Sequence, residues 1–212
     1  METVAIVDYG MSNLRSVEKA LAFVAGRQRI VVTDRPEEIR AADRLVFPGQ
    51  GAIGACMTCL DERGLQEAVR ECARNRPYLG ICLGQQCLLS SSEEDGGTPG
   101  LGIIPGTVCR FASGQRDAEG RLLKIPHMGW NRVQQCAPHP LWQGIASGER
   151  FYFVHSYYPV PADESDVAGR TDYIVSFAAA IARENLFAVQ FHPEKSQRAG
   201  LRLLENFLHW NP

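Results

Sequence analysis

The sequence has little excess charge of either sign, no long apolar run and no internal repeat. Its 22 lysines and arginines face 24 aspartates and glutamates, which gives a formal net charge of −2 at pH 7. No basic field is therefore available for nucleic acid or for an anionic membrane surface. No apolar stretch approaches the roughly 18 residues that a membrane-spanning helix needs. We expect neither a nucleic-acid-binding protein nor a membrane protein.

Two further absences concern the location of the chain. The first ten residues, METVAIVDYG, contain neither the basic region nor the apolar region of a secretory signal. The seven cysteines are odd in number and lack the spacing of a disulfide framework, which favours reduced thiols. These observations predict a cytoplasmic protein.

The first half of the sequence alternates between short apolar runs and helical patterns. Strand-like runs cover 3–8, 29–34, 44–49 and 77–82, with amphipathic segments between them. This alternation is typical of a parallel sheet flanked by helices. The second half reads mostly as strands, which we expect to extend the sheet in antiparallel fashion. Without a linker or repeat, the sequence predicts one α/β domain over residues 1–212.

The stretch RPYLGICLGQQCLL places Cys82 between two glycines, each two residues away. This spacing, after an apolar strand and before a helical pattern, is that of a nucleophile elbow. The turn is too tight for ordinary dihedral angles, so side chains at Gly80 and Gly84 would collide with neighbouring chain. A helix starting at Leu83 would point N–H groups and its positive end at the thiol. Cys82 is the candidate nucleophile, and a buried structural thiol is the alternative.

A thiol nucleophile needs a base, and the sequence offers five histidines. His192 stands out in AVQFHPEKSQ, because Pro193 ends a strand there and Glu194 follows two residues after the histidine. A carboxylate beside an imidazole fixes its tautomer and stabilises the imidazolium. We therefore expect Cys82, His192 and Glu194 to act together.

Two other motifs allow more than one interpretation. The FPGQGAIG stretch follows the third strand, and its glycines would let backbone N–H groups approach a ligand at the carboxyl edge of the sheet. It also mimics a dinucleotide fingerprint, although that motif follows the first strand and needs an acidic residue that is missing here. The pair Cys56 and Cys59 has the C-x-x-C form, but without a second pair we favour packing over a zinc or redox role.

Together, the elbow cysteine, the distant His-x-Glu and the glycine loop resemble the triad-type (class I) glutamine amidotransferases over essentially the whole chain. Four segments resemble one branch of that family, the glutaminase subunits of imidazole glycerol phosphate synthase. They are VDYGMSNLRSV, KIPHMGWN, FYFVHSYY and FHPEKSQ. The resemblance implies a flavodoxin-like, open and mostly parallel sheet with antiparallel extension strands. It implies no metal ion and no organic cofactor.

The resemblance also implies a role for each site residue. Cys82 attacks the side-chain amide of glutamine, His192 carries the proton to the departing ammonia, and Glu194 orients His192. The residues expected to hold the oxyanion through backbone N–H groups are Leu83, Gln50 and Gly51. Those expected to bind glutamine are Gly49, Gln86, Glu94, Ser156 and Tyr157. Those expected to face a partner are Asn13, Trp130 and Lys195.

A chain of 212 residues has no room for an acceptor domain that would use the ammonia. The resemblance therefore implies a separate (β/α)8 cyclase subunit in a one-to-one heterodimer. That enzyme makes imidazole glycerol phosphate and aminoimidazole carboxamide ribotide in histidine biosynthesis. Three positions depart from the family pattern, where a glycine, an apolar residue and a methionine are usual: Ser12, Gln50 and Gln85. The Gln50 loop is thought to rearrange when the partner binds its substrate.

Three other interpretations stay open. A cysteine hydrolase of the α/β-hydrolase type would place its acid before the histidine, whereas Glu194 follows His192. A silent binding module descended from an amidotransferase would be expected to have lost a triad member. A glutaminase of anthranilate or guanylate synthesis would lack the PHMGWN and HPEKSQ phrases.

Overall fold

A computed structural model of the protein describes residues 1–11 and 14–212. Ser12 and Asn13 lie outside the described residues, so the predicted partner role of Asn13 has no structural counterpart here. Within the described part, none of the helices combines the length and the apolar character that a membrane crossing requires.

The first part of the chain alternates between strands and helices, as the apolar periodicity predicts. Its elements are β1 Thr3–Val7, α1 Leu14–Val24, β2 Arg29–Thr33, α2 Pro36–Ala41, β3 Arg44–Gly49, α3 Ile53–Glu62, α4 Leu65–Asn75, β4 Tyr78–Cys82 and α5 Leu83–Gln86. Strands β3 and β4 are buried along their whole length, as expected of central strands covered on both faces. Helices α1 and α4 each bury one apolar face.

The second part is mostly strands and ends in one long helix. Its elements are β5 Leu89–Ser92, β6 Thr98–Pro99, β7 Ile104–Arg110, β8 His127–Gln135, β9 Glu149–His155, β10 Tyr157–Pro161, β11 Val167–Asp172, β12 Ser176–Arg183, β13 Leu186–Val189 and α6 Gln197–His209. Short 3₁₀ turns lie at Glu94–Gly96, Pro140–Trp142, Glu164–Asp166 and Pro193–Lys195.

The large sheet has nine strands in the order β2-β1-β3-β4-β13-β12-β11-β8-β9. Its first five strands are mutually parallel, and β12, β11, β8 and β9 continue it in antiparallel fashion. Buried apolar side chains form a core on each face. The predicted fold class, an open and mostly parallel sheet with antiparallel extension strands, is confirmed.

The run RFYFVHSYYPV and the segment LGQQCLLSS do not fold as the single strand and the single helix that their patterns predict. The run RFYFVHSYYPV is two strands in two sheets, because the chain leaves the large sheet at Ser156 and β10 joins β7, β5 and β6 in a separate four-stranded sheet. Pro159 and Pro161 cannot donate ladder hydrogen bonds, so β10 suits the edge position that it occupies. The helix expected after Leu83 is also short: α5 ends at Gln86, before the serines of β5, which are weak helix formers.

The register of the parallel strands brings three chain segments to one edge of the sheet. Gly49 at the end of β3 lies opposite Cys82 at the end of β4, and Val189 of β13 lies opposite Ile81. The glycine loop, the elbow and the segment that carries His192 therefore leave the sheet side by side. This is the carboxyl edge, where open α/β sheets bind their ligands.

The two glycines of the elbow are required by close approaches of backbone. A Cβ atom on Gly84 would lie 1.8 Å from the Phe47 carbonyl oxygen of β3, and one on Gly80 would lie 2.8 Å from the carbonyl oxygen of Gly84. Neither neighbour is a flexible side chain that could move aside. These close approaches therefore account for the Gly-x-Cys-x-Gly spacing, as the sequence led us to expect.

We expect Gly84→Ala to lower the free energy of unfolding by about 3 kcal/mol, because the added methyl group must displace β3 from α5. Urea denaturation followed by circular dichroism measures the change. Gly26→Ala is the matched control, since its Cβ would meet only the Gln28 side chain at 4.0 Å. Equal stability of the two variants would contradict the steric account.

Candidate active site

Cys82 occupies a strained turn between β4 and α5. Its backbone angles are φ 53° and ψ −105°, a region that side-chain-bearing residues rarely adopt and that is common at functional sites. The side chain is mostly buried, and 7% of the residue surface is exposed. Because α5 has four residues, its dipole at Cys82 is that of a single helical turn.

His192 and Glu194 are held together at the start of the 3₁₀ turn that follows β13. The Nδ1 atom of His192 lies 2.9 Å from Oε1 of Glu194, and 6% and 4% of the two side chains are exposed. The backbone N–H of His192 donates to the carbonyl of Tyr152 in β9. With Nδ1 engaged by the carboxylate, Nε2 is the nitrogen that can exchange a proton, and it has no hydrogen-bond partner among the described residues.

The electrostatic setting of His192 favours its charged form. Burial lowers the pKa of the imidazole, but the electrostatic interaction with Cys82 and the hydrogen bond to Glu194 more than offset burial and raise that pKa to about 10. An imidazolium beside a thiolate is the arrangement that activates a cysteine nucleophile. The arrangement can therefore carry out nucleophilic attack by sulfur and proton transfer by the imidazole.

A cavity of about 320 Å³ opens onto both Cys82 and His192. Its lining also includes seven residues predicted from the sequence, namely Gln50, Gly51, Leu83, Gln86, Glu94, Ser156 and Tyr157. The volume lies at the lower end of the range for small-molecule sites. Gly49 lines instead a separate space of about 20 Å³ beside His192 and Glu194. A Cβ there would lie 2.7 Å from Cβ of Leu83, so Gly49 is needed for packing of β3 against α5.

Some polar groups that line the cavity already form hydrogen bonds within the protein. Gln86 donates its two amide hydrogens to the Tyr157 carbonyl and to Oε1 of Gln190, each at 3.0 Å, which leaves its own Oε1 as an acceptor. Glu94 accepts a hydrogen bond from the Ile53 N–H at 2.8 Å. A carboxylate and an amide oxygen on the wall of the cavity suit a ligand that carries an ammonium group.

The glycine loop presents its backbone at the cavity, but one of its donors is already engaged. The Gln50 N–H donates to the Tyr9 hydroxyl at 3.3 Å. An oxyanion at this loop would have to compete with Tyr9 for that N–H. Gly51, with φ 95°, adopts a conformation that favours glycine.

The sequence analysis missed two buried residues of this region, Gln190 and His155. Gln190 is fully buried, and its amide Nε2 lies 3.5 Å from Sγ of Cys82. A signal was available, because Gln190 precedes His192 by two residues on an otherwise apolar strand and side chains repeat every second residue in a strand. His155 lines the cavity and pairs with His127 at 3.0 Å.

Trp130 and Lys195, two of the predicted partner residues, lie on one exposed patch. Trp130 packs edge-on against Tyr152 at 6.1 Å, and Nζ of Lys195 lies 6.0 Å from the centre of the same tyrosine ring. Trp130 is 39% exposed, although tryptophan is usually well buried. We call Trp130, Tyr152 and Lys195 the tryptophan patch. Exposed aromatic side chains next to a cation are typical of interfaces.

The C-x-x-C pair lies in α3, as expected. Cys56 is fully buried and its sulfur neighbours that of Cys87 at 3.8 Å, whereas Cys59 is partly exposed. Over residues 1–11 and 14–212, no three His, Cys, Asp or Glu side chains are grouped so that they could hold a metal ion.

Comparison with known families identifies the family of the chain. The chain matches the family described as glutamine amidotransferase class-I over residues 5–210. The chain belongs to that family, and the predicted enzyme class is confirmed.

Relatives define the branch of the family. The chain is 60% identical to the imidazole glycerol phosphate synthase subunit HisH of Nitrosococcus oceani, covering 100% of this chain and 99% of that one. It is 57% identical to the HisH subunit of Aromatoleum aromaticum over the full length of both. The resemblance to this branch, and with it the predicted function of a HisH-type glutaminase subunit in histidine biosynthesis, is confirmed.

Solved structures of lower identity share the fold. The structure of PurLQS from Thermotoga maritima is 19% identical, with a TM-score of 0.71 and 98% coverage of both chains. A glutamine amidotransferase from the same organism is 14% identical, with a TM-score of 0.64 and coverage of 98% of this chain and 83% of that chain.

We expect acid to destabilise the fold through two buried histidines. Burial lowers the pKa of His155 to about 3 and that of His127 to about 4, against about 6.5 in an unfolded chain. Below pH 6.5 the unfolded chain therefore binds protons that the folded chain does not. The free energy of unfolding falls towards pH 4 by at most about 1.4 kcal/mol per pH unit for each histidine.

Urea unfolding at pH 6.5 and pH 4.5 measures this slope. His192, with its pKa raised to about 10, is fully protonated in the folded state at pH 6.5 but only about half protonated in the unfolded chain. It therefore adds a small slope of the opposite sign near pH 6.5, and this slope is the same in the wild type and in the variant below. A His155→Phe variant removes one titrating group and should show a smaller loss between the two pH values. An unchanged loss would mean that other groups cause the acid sensitivity.

Proposed function

We propose that the chain hydrolyses glutamine to glutamate and ammonia through Cys82, His192 and Glu194. The observation that carries this proposal is one shared cavity. Cys82, held on a strained glycine-flanked turn, and His192, held by Glu194 through Nδ1, both open onto it. The match of the family over residues 5–210 supports a single amidotransferase domain across the chain.

The reaction proceeds in two steps. The Cys82 thiolate attacks the side-chain amide carbon of glutamine, and the imidazolium of His192 gives its proton to the nitrogen as the carbon–nitrogen bond breaks. Ammonia leaves and a glutamyl thioester forms. His192, now neutral, takes a proton from water, and the hydroxide displaces the thiolate to give glutamate. Glu194 keeps Nε2 aimed at the reacting atoms throughout.

Backbone N–H groups stabilise the negative oxygen of the tetrahedral intermediate. Leu83 supplies one N–H, and Gln50 or Gly51 supplies the other from the glycine loop. Loss of one such donor typically costs roughly 10²–10³ in rate. The competing bond from Gln50 to the Tyr9 hydroxyl makes rearrangement of this loop part of turnover.

Glutamine binds with its amino-acid end in the part of the cavity farther from Cys82. The ammonium group donates to the Glu94 carboxylate and to Oε1 of Gln86. Ser156 and Tyr157 line the same cavity. Gly49 acts indirectly, by permitting the close packing that places Leu83.

The ammonia is used by a partner chain. HisH relatives are named as subunits of imidazole glycerol phosphate synthase, which supports assembly of this chain with the cyclase subunit of that enzyme in the cytoplasm. We propose a one-to-one complex with a (β/α)8 barrel, docked on the carboxyl edge of the sheet. The tryptophan patch lies beside the His192 turn, since the Tyr152 carbonyl accepts the His192 N–H, and is the surface we assign to that contact.

Glutamate release from glutamine tests the chemistry. We expect little release by the chain alone and clear release when the cyclase subunit is present with its nucleotide ligand. Cys82→Ala should lower the stimulated rate by at least about 10³-fold, as loss of a nucleophile does. Cys136→Ala is the matched control, because Cys136 is an exposed thiol outside the cavity. Full activity of Cys82→Ala would rule out the assigned nucleophile.

Binding of the cyclase subunit tests the tryptophan patch separately. We expect Trp130→Ala to weaken binding about tenfold or more, since an exposed aromatic anchor carries much of an interface. Phe23→Ala is the control: Phe23 is 78% exposed and lies near the end of α1, outside the tryptophan patch. Isothermal titration calorimetry gives both dissociation constants. Equal weakening by the two substitutions would remove the patch from the interface.

A further inference from the structure

Gln190 is a buried polar residue that has no role in the reaction steps described above. It directly follows β13, is fully buried and does not line the cavity. The amide Nε2 lies 3.5 Å from the Cys82 sulfur, within reach of an N–H···S hydrogen bond. An amide buried among apolar strands is costly unless it is fully hydrogen-bonded.

The orientation of this amide is fixed by its neighbours. Nε2 of Gln86 carries two hydrogens, which it donates to the Tyr157 carbonyl and to Oε1 of Gln190. Since Gln86 presents only donors on that side, the oxygen of Gln190 must face it. The NH₂ group of Gln190 must then face Cys82. The alternative flip would place two NH₂ groups together and an oxygen against the sulfur.

The same line of hydrogen bonds continues into the KIPHMGWN segment through two buried histidines. The Tyr157 carbonyl can only accept, so Nδ1 of His155, at 2.8 Å, carries a hydrogen. Nε2 of His155 then accepts from Nδ1 of His127 at 3.0 Å. The free Nε2 of His127 accepts from the Asn131 amide at 3.3 Å.

Both imidazoles of this line are neutral near pH 7, in agreement with these donor and acceptor roles. Burial lowers the pKa of His127 to about 4 and that of His155 to about 3. Each ring therefore holds one tautomer, and the direction of donation is set along the whole line, from Asn131 to the Tyr157 carbonyl.

We infer that Gln190 is a catalytic residue for the proposed reaction, donating its amide N–H to the Cys82 thiolate, with Gln86 as the positioning residue that orients it. The inference rests on the proposed role of Cys82 as nucleophile. The hydrogen bond stabilises the charged sulfur before attack. It stabilises the same sulfur when it leaves as thiolate in the second step, so that it favours hydrolysis of the thioester as well as its formation.

The rate of Cys82 alkylation by iodoacetamide, measured against pH in the full chain, tests this assignment without glutamine turnover. Peptide mass spectrometry resolves the seven cysteines. In Gln190→Met, which keeps the size of the side chain and removes its donor, the midpoint of the Cys82 profile should move up by about one pH unit. Alkylation below that midpoint should then be about tenfold slower. The profile of Cys136, read from the same digest, should not move.

Gln85→Met is the matched control. Gln85 is also fully buried, and its Nε2 donates to the Ala188 carbonyl at 3.3 Å rather than to sulfur. The Gln85→Met variant should therefore not change the midpoint of the Cys82 profile. Gln86→Met keeps Gln190 but removes the donor that orients it. We expect a smaller upward shift of the Cys82 midpoint in this variant. It also tests the inference if Gln190→Met does not fold.

The outcomes separate this inference from the proposed function. A reactive wild-type Cys82 whose profile is unchanged in both Gln190→Met and Gln86→Met would overturn the role of Gln190 and leave the nucleophile standing. A wild-type Cys82 that iodoacetamide does not modify, in a chain that releases no glutamate with the liganded cyclase, would overturn the proposed function itself. Shifts in both variants, without a shift in Gln85→Met, establish the hydrogen bond.

Discussion

The close approach of α5 to the Phe47 carbonyl is the constraint on which the rest of the site depends. No atom larger than hydrogen fits at Gly84, and Cys82, two residues earlier, takes a positive φ. Cys82 lines the cavity from this turn. Gly49 repeats the principle one strand away, where its missing side chain lets the start of α5 lie against β3. The position of the sulfur is thus set by backbone contacts.

The second constraint on the site is the electrostatic interaction between its buried ionisable groups. A buried imidazole and carboxylate cost free energy to desolvate, and the pair persists because each stabilises the other. Burial opposes the charge on His192, while Cys82 and Glu194 favour it strongly enough to raise its pKa. His127 and His155 lie a short distance away without a carboxylate partner, and burial keeps them neutral. Histidine is thus charged at position 192 and neutral at positions 127 and 155, according to the neighbours of each ring.

The sequence alone predicts those parts of the molecule that depend on local patterns. The alternation of strands and helices, the glycines around Cys82 and the spacing from His192 to Glu194 each follow from short-range geometry, and the fold class follows from them. The split of one apolar run at Ser156 and the orientation of Gln190 depend instead on pairing with β7 and on the amide of Gln86. These partners are distant in sequence from the residues that they affect, so no local pattern contains them. The glycine loop indicates a close approach of backbone at Gly49, but its local pattern does not identify Leu83 as the neighbour that approaches.

The break at Ser156 has a mechanical consequence. β9 belongs to the nine-stranded sheet and β10 to the four-stranded sheet, and a single residue joins them on the wall of the cavity. Of the connections between the two sheets, this joint is the shortest, so sliding or rotation of one sheet against the other would displace it directly. A change in the relative position of the two sheets would therefore change the width of the cavity. A force applied to either sheet acts on the opening above the thiol.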